Sequence, residues 1–529
     1  MFQKALLIDS QKIIFWMSAY FTMFANIVFF TKLTEFASFE NNYTMIITAP
    51  FILFLLLILI LNIVLLITHK HSFKAILIVL IAVSALSSYF MNTFSTVIDK
   101  DMIANVVQTD YAEAFDLITV KLIGYIVMFC IFPILLLVRY KIEYKNYRAE
   151  VLNRLFMIFA TLFLVGISYM VLSKNYSSFF RNHGELRYYL NPSYPIYSVA
   201  KYIKREFSSQ KIIIPIAQDA KMVQSGAKKR LFVFVVGETA RAANFSLNGY
   251  SHDTNPLLKS QDNIVNLENF YSCGTATAVS LPCMFSKFTR SEYSEDKKYF
   301  ENLVDVISKS GVRVIWRDNN SGRSKGVADR IKDVKYFGGE NVYDEVMLED
   351  LQQSINTSYE DTLIVLHQEG SHGPTYYKRY PDSFKKFQPT CDTQDLEKCT
   401  QEEIVNTYDN TILYTDYLLD RTIKFLQNNE SKYETFMMYA SDHGESLGEN
   451  GIYLHGMPYM IAPDYQKHIP AVFYFGNDMK EKKEILEALK TDEYSHDYIF
   501  HTFLGLFGIE TKEYDKNLDI FYNKKISMI

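Results

Sequence analysis

The sequence predicts two parts, a helical membrane domain of five transmembrane spans followed by a soluble α/β domain. Three observations predict it. Long uncharged apolar runs crowd the first third of the 529 residues, short β-rich runs alternate with helix-length polar stretches from Arg230 onward, and most of the histidines fall in the second half. An apolar fraction of 49% suffices for both a membrane unit and a soluble core. The formal net charge of −5 and the lack of any long Lys/Arg run exclude the basic footprint of a nucleic-acid binder.

Crossing a hydrocarbon core takes about twenty helical residues with their backbone groups paired internally. Five segments qualify: 13–30, 45–68, 75–94, 117–138 and 155–172. In the third, Ser84, Ser87 and Ser88 suit helix packing, the alternative being a buried or interfacial segment. The first lacks a small-residue cleavage site and precedes further spans, so it reads as a retained helix rather than a signal peptide. Lys4, Lys12, Lys70, Lys74, Arg139, Lys141, Lys145, Arg148 and Arg154 fall on one side, against Lys32 and Lys100 on the other. The positive-inside rule then makes the N-terminus cytoplasmic and exports everything after about residue 172. The expected division is a membrane domain over 1–173, a membrane-surface connector rich in aromatic and basic residues over 174–228, and a catalytic α/β domain over 229–529.

Four of the five cysteines lie on the exported side. Cys273 and Cys283 bracket GTATAVSLP, and Cys391 and Cys399 bracket another short loop, so local pairing is expected under oxidising conditions, with free thiols as the alternative. Cys130, inside the fourth span, reads as a packing residue.

The runs LFVFVVGE, VRVIWRDN, TLIVLHQEG, ETFMMYASDHG and AVFYFG predict a mostly parallel sheet. Ligands of such sheets gather beyond the carboxyl ends of the strands. Glu238 ends the first run, His367 and Glu369 lie late in the third, and Asp442 with His443 ends the fourth. These supply mixed oxygen and nitrogen donors for zinc or a similar divalent ion. Thr275, Thr277 and Ser280 each offer a hydroxyl that such an ion would activate toward a phosphoryl group. Spacing alone does not choose among the three.

The segments GETARAANFSLNGYSHDTNPLL, SCGTATAVSLPCMFS, RDNNSGRSKGVADR, HQEGSHGPTYYKRYP and SDHGESLGENGIYLHG together resemble the bacterial phosphoethanolamine transferases, a family that includes the mobile colistin-resistance enzymes. The resemblance implies an alkaline-phosphatase/sulfatase-like fold and Thr277 as nucleophile. It implies a zinc site of Glu238, Thr277, Asp442 and His443, with His372, His455 and Lys325 at the substrate phosphate or a second zinc. Asn105, Thr109 and Glu113 match residues of lipid-headgroup binding. The implied reaction takes phosphatidylethanolamine as donor and lipid A or lipopolysaccharide as acceptor, from a bacterial inner membrane with the catalytic domain in the periplasm. The added amine would lower surface negative charge and weaken binding of cationic peptides such as polymyxin. The sequence departs from the family's frequent extra cysteine pair, having Arg323 and Ala328 there and an added residue before Lys325. The competing readings are a phosphoglycerol transferase like lipoteichoic acid synthase, a hydrolase of the same superfamily, and a catalytically silent membrane scaffold.

Overall fold

The apolar runs of the first part become helices, since in hydrocarbon only a backbone paired within its own segment avoids unsatisfied polar groups. In the computed structural model, which describes residues 7–68, 72–108, 117–208, 212–223, 226, 228–339 and 342–522, four helices are long and apolar enough to cross a membrane. They are Tyr43–Val64, Phe73–Phe94, Val120–Arg139 and Tyr147–Leu172. The first expected span, 13–30, is not one straight helix. It falls in a bent pair, Ser10–Ala25 and Ile27–Phe39, whose arms meet at 61°, so the described residues give four spans, or five if the pair counts as one. The π turn Phe21–Ala25 precedes the break, and the Asn26 amide donates to the Phe21 carbonyl at 2.9 Å. A side-chain donor thereby satisfies a backbone group released by the bend.

Helix Phe73–Phe94 uses its serines for packing. Ser84, Ser87 and Ser88 are buried, the Ser88 and Tyr125 hydroxyls lie 2.9 Å apart, and the Asn191 amide donates to the Ser84 carbonyl at 3.0 Å. Arg154, which the charge pattern counts among the cytoplasmic cations, is fully buried. Its guanidinium donates to the carbonyls of Leu65 and Thr68, the latter at 2.7 Å, and lies 3.5 Å from Glu150. It meets carbonyls just past the end of Tyr43–Val64, where the helix no longer supplies their usual donors. Lys4 and Lys70 lie outside the described residues. This first unit comprises Met1–Ile103 and Ile118–Lys204, and a second comprises Ala104–Leu117 and Arg205–Ile529. The division falls inside the expected connector because helix Tyr147–Asn182 continues beyond its apolar window and Ser193–Ser208 forms a further helix.

The second unit is built on eight strands: β1 (Lys229–Gly237), β2 (Ile264–Tyr271), β3 (Arg313–Asp318), β4 (Asp333–Tyr336), β5 (Thr362–His367), β6 (Tyr433–Ser441), β7 (His468–Phe475) and β8 (Glu493–Ser495). Their order across the sheet is β8-β2-β7-β6-β1-β5-β3-β4. Only β7 runs against its neighbours, and the remaining pairs are parallel. Strands β1, β3, β5, β6 and β7 are the five that the apolar runs predict.

A strand buried on both faces feeds two cores, because alternate side chains point opposite ways. Phe232, Phe234 and Val236 of β1 enter one core with the helices α1 (Thr277–Met284), α2 (Leu303–Lys309) and α4 (Ile499–Leu506). Leu231, Val233 and Val235 enter the other, under the long helix α3 (Gln401–Gln427). A reciprocal Thr400–Glu403 capping box starts α3, immediately after the Cys391–Cys399 disulfide. The sheet is therefore covered by helices on both faces, and its strand ends are the place left for chemistry.

Candidate active site

Strands β1 and β6 are neighbours in parallel register, with Gly237 opposite Ser441. That register delivers Glu238 next to Asp442 and His443. All three are buried, and their candidate ligand atoms lie within 4.8 Å of one another. Thr277, the first residue of α1, adds its hydroxyl: Oγ1 is 3.1 Å from both carboxylate oxygens of Glu238 and 3.3 Å from His443 Nε2. His443 Nε2 is also 3.3 Å from Glu238 Oε1 and 3.4 Å from Asp442 Oδ2.

These spacings decide whether the group fits an ion. Tetrahedral zinc with bonds of about 2.0–2.1 Å places its donors about 3.3 Å apart, which is the separation found here. The individual atoms agree. Asp442 Oδ1 accepts from the backbone of His443 at 2.7 Å and of Thr239 at 3.3 Å, while buried Oδ2 turns to the cluster with no hydrogen-bond partner. His443 Nδ1 is 2.9 Å from the Gly444 carbonyl, which only accepts, so Nδ1 bears the proton and Nε2 is the nitrogen available to ligate an ion. Without a cation the cluster retains protons instead. Burial, helped by the charge of Glu238, pushes the Asp442 carboxyl up to about 7. Burial would lower the His443 imidazole, but Asp442 and Glu238 outweigh it and raise it to about 10. Burial likewise opposes ionisation of Glu238, yet the hydrogen bond and charge of His443 hold that carboxyl well below its usual range. A divalent ion, if bound, would take the place of those protons.

The three hydroxyls of the nucleophile segment have different fates. Thr275 Oγ1 donates to the Met457 carbonyl at 2.6 Å, and Ser280 Oγ donates to the Asp442 carbonyl. Only Thr277 is aimed at the carboxylates. The Cys273–Cys283 disulfide closes this segment, and Cys130 is a free thiol.

His372 and His455 reach the same place. The His455 ring centroid is 4.4 Å from that of His443 and 5.6 Å from that of His372. His455 Nδ1 is 2.8 Å from Glu445 Oε2, and Tyr376 donates to the other oxygen of Glu445 at 2.8 Å. Lys325 sits in a turn where Arg323 (φ 52°), Lys325 (φ 48°) and Gly326 (φ 92°) are all left-handed. A Cβ on Gly322 would stand 2.8 Å from the Lys325 ammonium and 2.9 Å from Asn320 Oδ1. Asn320 in turn donates to Glu238 Oε2 at 2.9 Å. Ala328 is buried in the core.

Two strand-end candidates stay out of the cluster. His367 Nδ1 pairs with Asp318 Oδ1 at 3.1 Å, and Glu369 binds Arg379 at 2.9 Å and the Ser321 backbone at 2.8 Å. Neither is among the donors grouped with Glu238, Asp442 and His443. Asn105 lies half-buried on helix Lys100–Gln108, whereas Thr109 and Glu113 lie outside the described residues.

Sequence reasoning passed over three supports. Asn320 braces Glu238, Glu445 braces His455, and His496 joins the nucleophile loop to β6. His496 Nδ1 accepts from the Cys273 N–H at 3.0 Å, and Nε2–H donates to the Ser441 carbonyl at 2.9 Å. Gly370 (φ +55°) passes so close to β1 that a Cβ there would lie 2.7 Å from the Glu238 carbonyl.

Residues 53–207 match the family model described as phosphoethanolamine transferase EptA/EptB, and residues 230–509 match that described as sulfatase. The chain is 41% identical over 459 residues to phosphoethanolamine transferase EptA of Escherichia coli K12, covering 83% of each. It is 40% identical over 516 residues to phosphatidylethanolamine transferase Mcr-1 of Escherichia coli, covering 93% of this chain and 94% of that one. The solved integral membrane lipooligosaccharide phosphoethanolamine transferase A of Neisseria meningitidis superposes with a TM-score of 0.92 at 36% identity, over 98% of this chain and 99% of that one.

Proposed function

The chain belongs to the EptA/EptB family of phosphoethanolamine transferases, and from that premise we propose that it carries phosphoethanolamine from phosphatidylethanolamine, by way of Thr277, to lipid A or lipopolysaccharide. It is an integral membrane phosphotransferase. The observation that carries the mechanism is that Thr277, alone among the three hydroxyls of its segment, faces Glu238, Asp442 and His443. The relative from Neisseria meningitidis, named for lipooligosaccharide, supports an acceptor of this class. Membership of this family does not favour the phosphoglycerol reading.

Glu238, Asp442, His443 and Thr277 would hold a zinc ion, whose charge favours the ionised hydroxyl and offsets that of the phosphate. Glu238 receives the hydrogen bond of the Thr277 hydroxyl and so orients its oxygen, and the proton lost on attack passes to solvent. The Thr277 Oγ1–P bond forms, the P–O bond to glycerol breaks, and diacylglycerol leaves with a proton. In the second step an acceptor oxygen forms its bond to phosphorus, and the Thr277 oxygen leaves and regains a proton. His372, His455 and Lys325 steady the phosphoryl oxygens in both steps. Asn320 and Glu445 fix the orientation of Glu238 and His455. The catalytic unit then works in the periplasm, beside the inner membrane.

Intact-mass spectrometry after incubation with phosphatidylethanolamine, followed by peptide mapping across Cys273–Cys283, tests this reading. A phosphoethanolamine adduct on Thr277 is expected; headgroup release with no adduct would instead indicate direct hydrolysis.

A further inference from the structure

Met460 is 85% exposed, the highest value for a large apolar side chain among the described residues of its unit. Scattered apolar residues are ordinary on a surface, but this one is presented. It tops a tight turn in which the backbone N–H groups of Ile461 and Ala462 both donate to the Pro458 carbonyl, at 2.9 and 3.0 Å. The turn is tied to the nucleophile segment. Thr275 Oγ1 donates to the Met457 carbonyl at 2.6 Å, the Gly456 N–H donates to the Thr275 carbonyl at 2.7 Å, and Gln466 accepts from the Met457 N–H at 3.2 Å. His455 begins its stem.

The flank of the turn is cationic and aromatic. The Arg290 guanidinium lies 4.0 Å from the Tyr459 ring centroid and the Lys467 ammonium 5.6 Å from it. Two acids lie nearby. Asp464 pairs with Lys467 at 3.4 Å, and Asp497 accepts from the Arg290 backbone at 2.8 Å, which leaves the Arg290 guanidinium on the tyrosine face. An exposed apolar tip, an adjoining tyrosine and a cation against that tyrosine's ring are the kinds of group that settle together at a bilayer surface, from acyl chain to phosphate.

We propose that the turn 457–463 enters the boundary between headgroups and acyl chains of an anionic bilayer, with Met460 and Ile461 leading and Arg290 on lipid phosphates. Because the turn is hydrogen-bonded to the segment that carries Thr277, insertion would set the height of the nucleophile above the membrane. The functional meaning rests on the lipid-donor reading above. Methionine suits the tip, since its unbranched side chain adapts to disordered acyl chains.

The test uses the full chain reconstituted in vesicles of phosphatidylethanolamine and phosphatidylglycerol, with Cys130→Ser and Met460→Cys carrying an environment-sensitive fluorophore. Lipids brominated near the top of the acyl chain should lower its emission by roughly twofold, as for a group about 5–10 Å deep. A label on Tyr359→Cys, an exposed position beside the start of β1, should be unaffected. Equal emission with and without bromine at Met460→Cys overturns the proposal. Quenching is read independently of turnover, so quenching without phosphoethanolamine transfer would sink the donor reading and leave the insertion standing.

Discussion

At Thr277 the proposed chemistry narrows to one oxygen atom. Thr277→Ala removes the nucleophile and leaves Glu238, Asp442 and His443 in place, so transfer should fall by at least ~1,000-fold while the melting temperature changes little. Mass spectrometry of the variant should show no adduct, and retained transfer would move the nucleophile elsewhere. Glu238, Asp442 and His443 were legible as polar residues leaving apolar strands. The choice among Thr275, Thr277 and Ser280 was legible only through family resemblance, because the groups that occupy the other two hydroxyls lie 182 and 162 residues away. His496 was not legible at all, for its partners Cys273 and Ser441 are 223 and 55 residues distant. Burial lowers the His496 imidazole from 6.5 to about 3, so the folded protein refuses a proton that the unfolded chain accepts below 6.5. Stability from this residue is complete above 6.5 and is lost as pH falls toward 3. Replacement His496→Gln keeps a donor and an acceptor but cannot titrate. The wild-type advantage over it should shrink by up to ~1.4 kcal/mol per pH unit below 6.5, measured by unfolding followed at buried Trp316. An advantage independent of pH would rule out a neutral buried imidazole.

Elements place these atoms, and here the tightest constraint is Gly370. With φ +55° and no room for a Cβ beside the Glu238 carbonyl, Gly370→Ala strains the turn and displaces the end of β1. We expect a loss of about 1–3 kcal/mol in unfolding free energy and a larger proportional loss of transfer. A variant with normal kcat would show that the turn yields without moving Glu238. Five strands were legible because continuous apolar runs mark burial on both faces. Strand β2, IVNLENFY, was not, since two asparagines and a glutamate interrupt it; β4 and β8 hold only four and three residues. The bend at Asn26 escaped the hydropathy reading because composition reports how apolar a run is and not whether its axis is straight. Arg154 escaped it for a related reason: a charge count does not see the carbonyls of Leu65 and Thr68.

Over the whole molecule, an ion held as proposed by Glu238, Asp442, His443 and Thr277 would join β1, β6 and α1 at one point and should stabilise the catalytic unit as well as activate it. Chelation should abolish transfer and lower the melting temperature of the Trp316 signal, with zinc restoring both and adding about 4 kcal/mol of stability at a thousandfold excess over Kd. An unchanged melt after verified metal removal would contradict an ion at this site. The sheet order has a further consequence, for the birth of the protein. Strand β1 is the first of the eight to be synthesised, yet it lies between β5 and β6. Arg230, at its start, is hydrogen-bonded to Asp361, 131 residues later. During translation the segment LFVFVV therefore emerges well before either neighbour exists, as a bare hydrophobic strand with two unpaired edges. The catalytic unit cannot mature in the order in which it emerges, and until β6 arrives the nascent chain is a client for whatever shields sticky segments from one another.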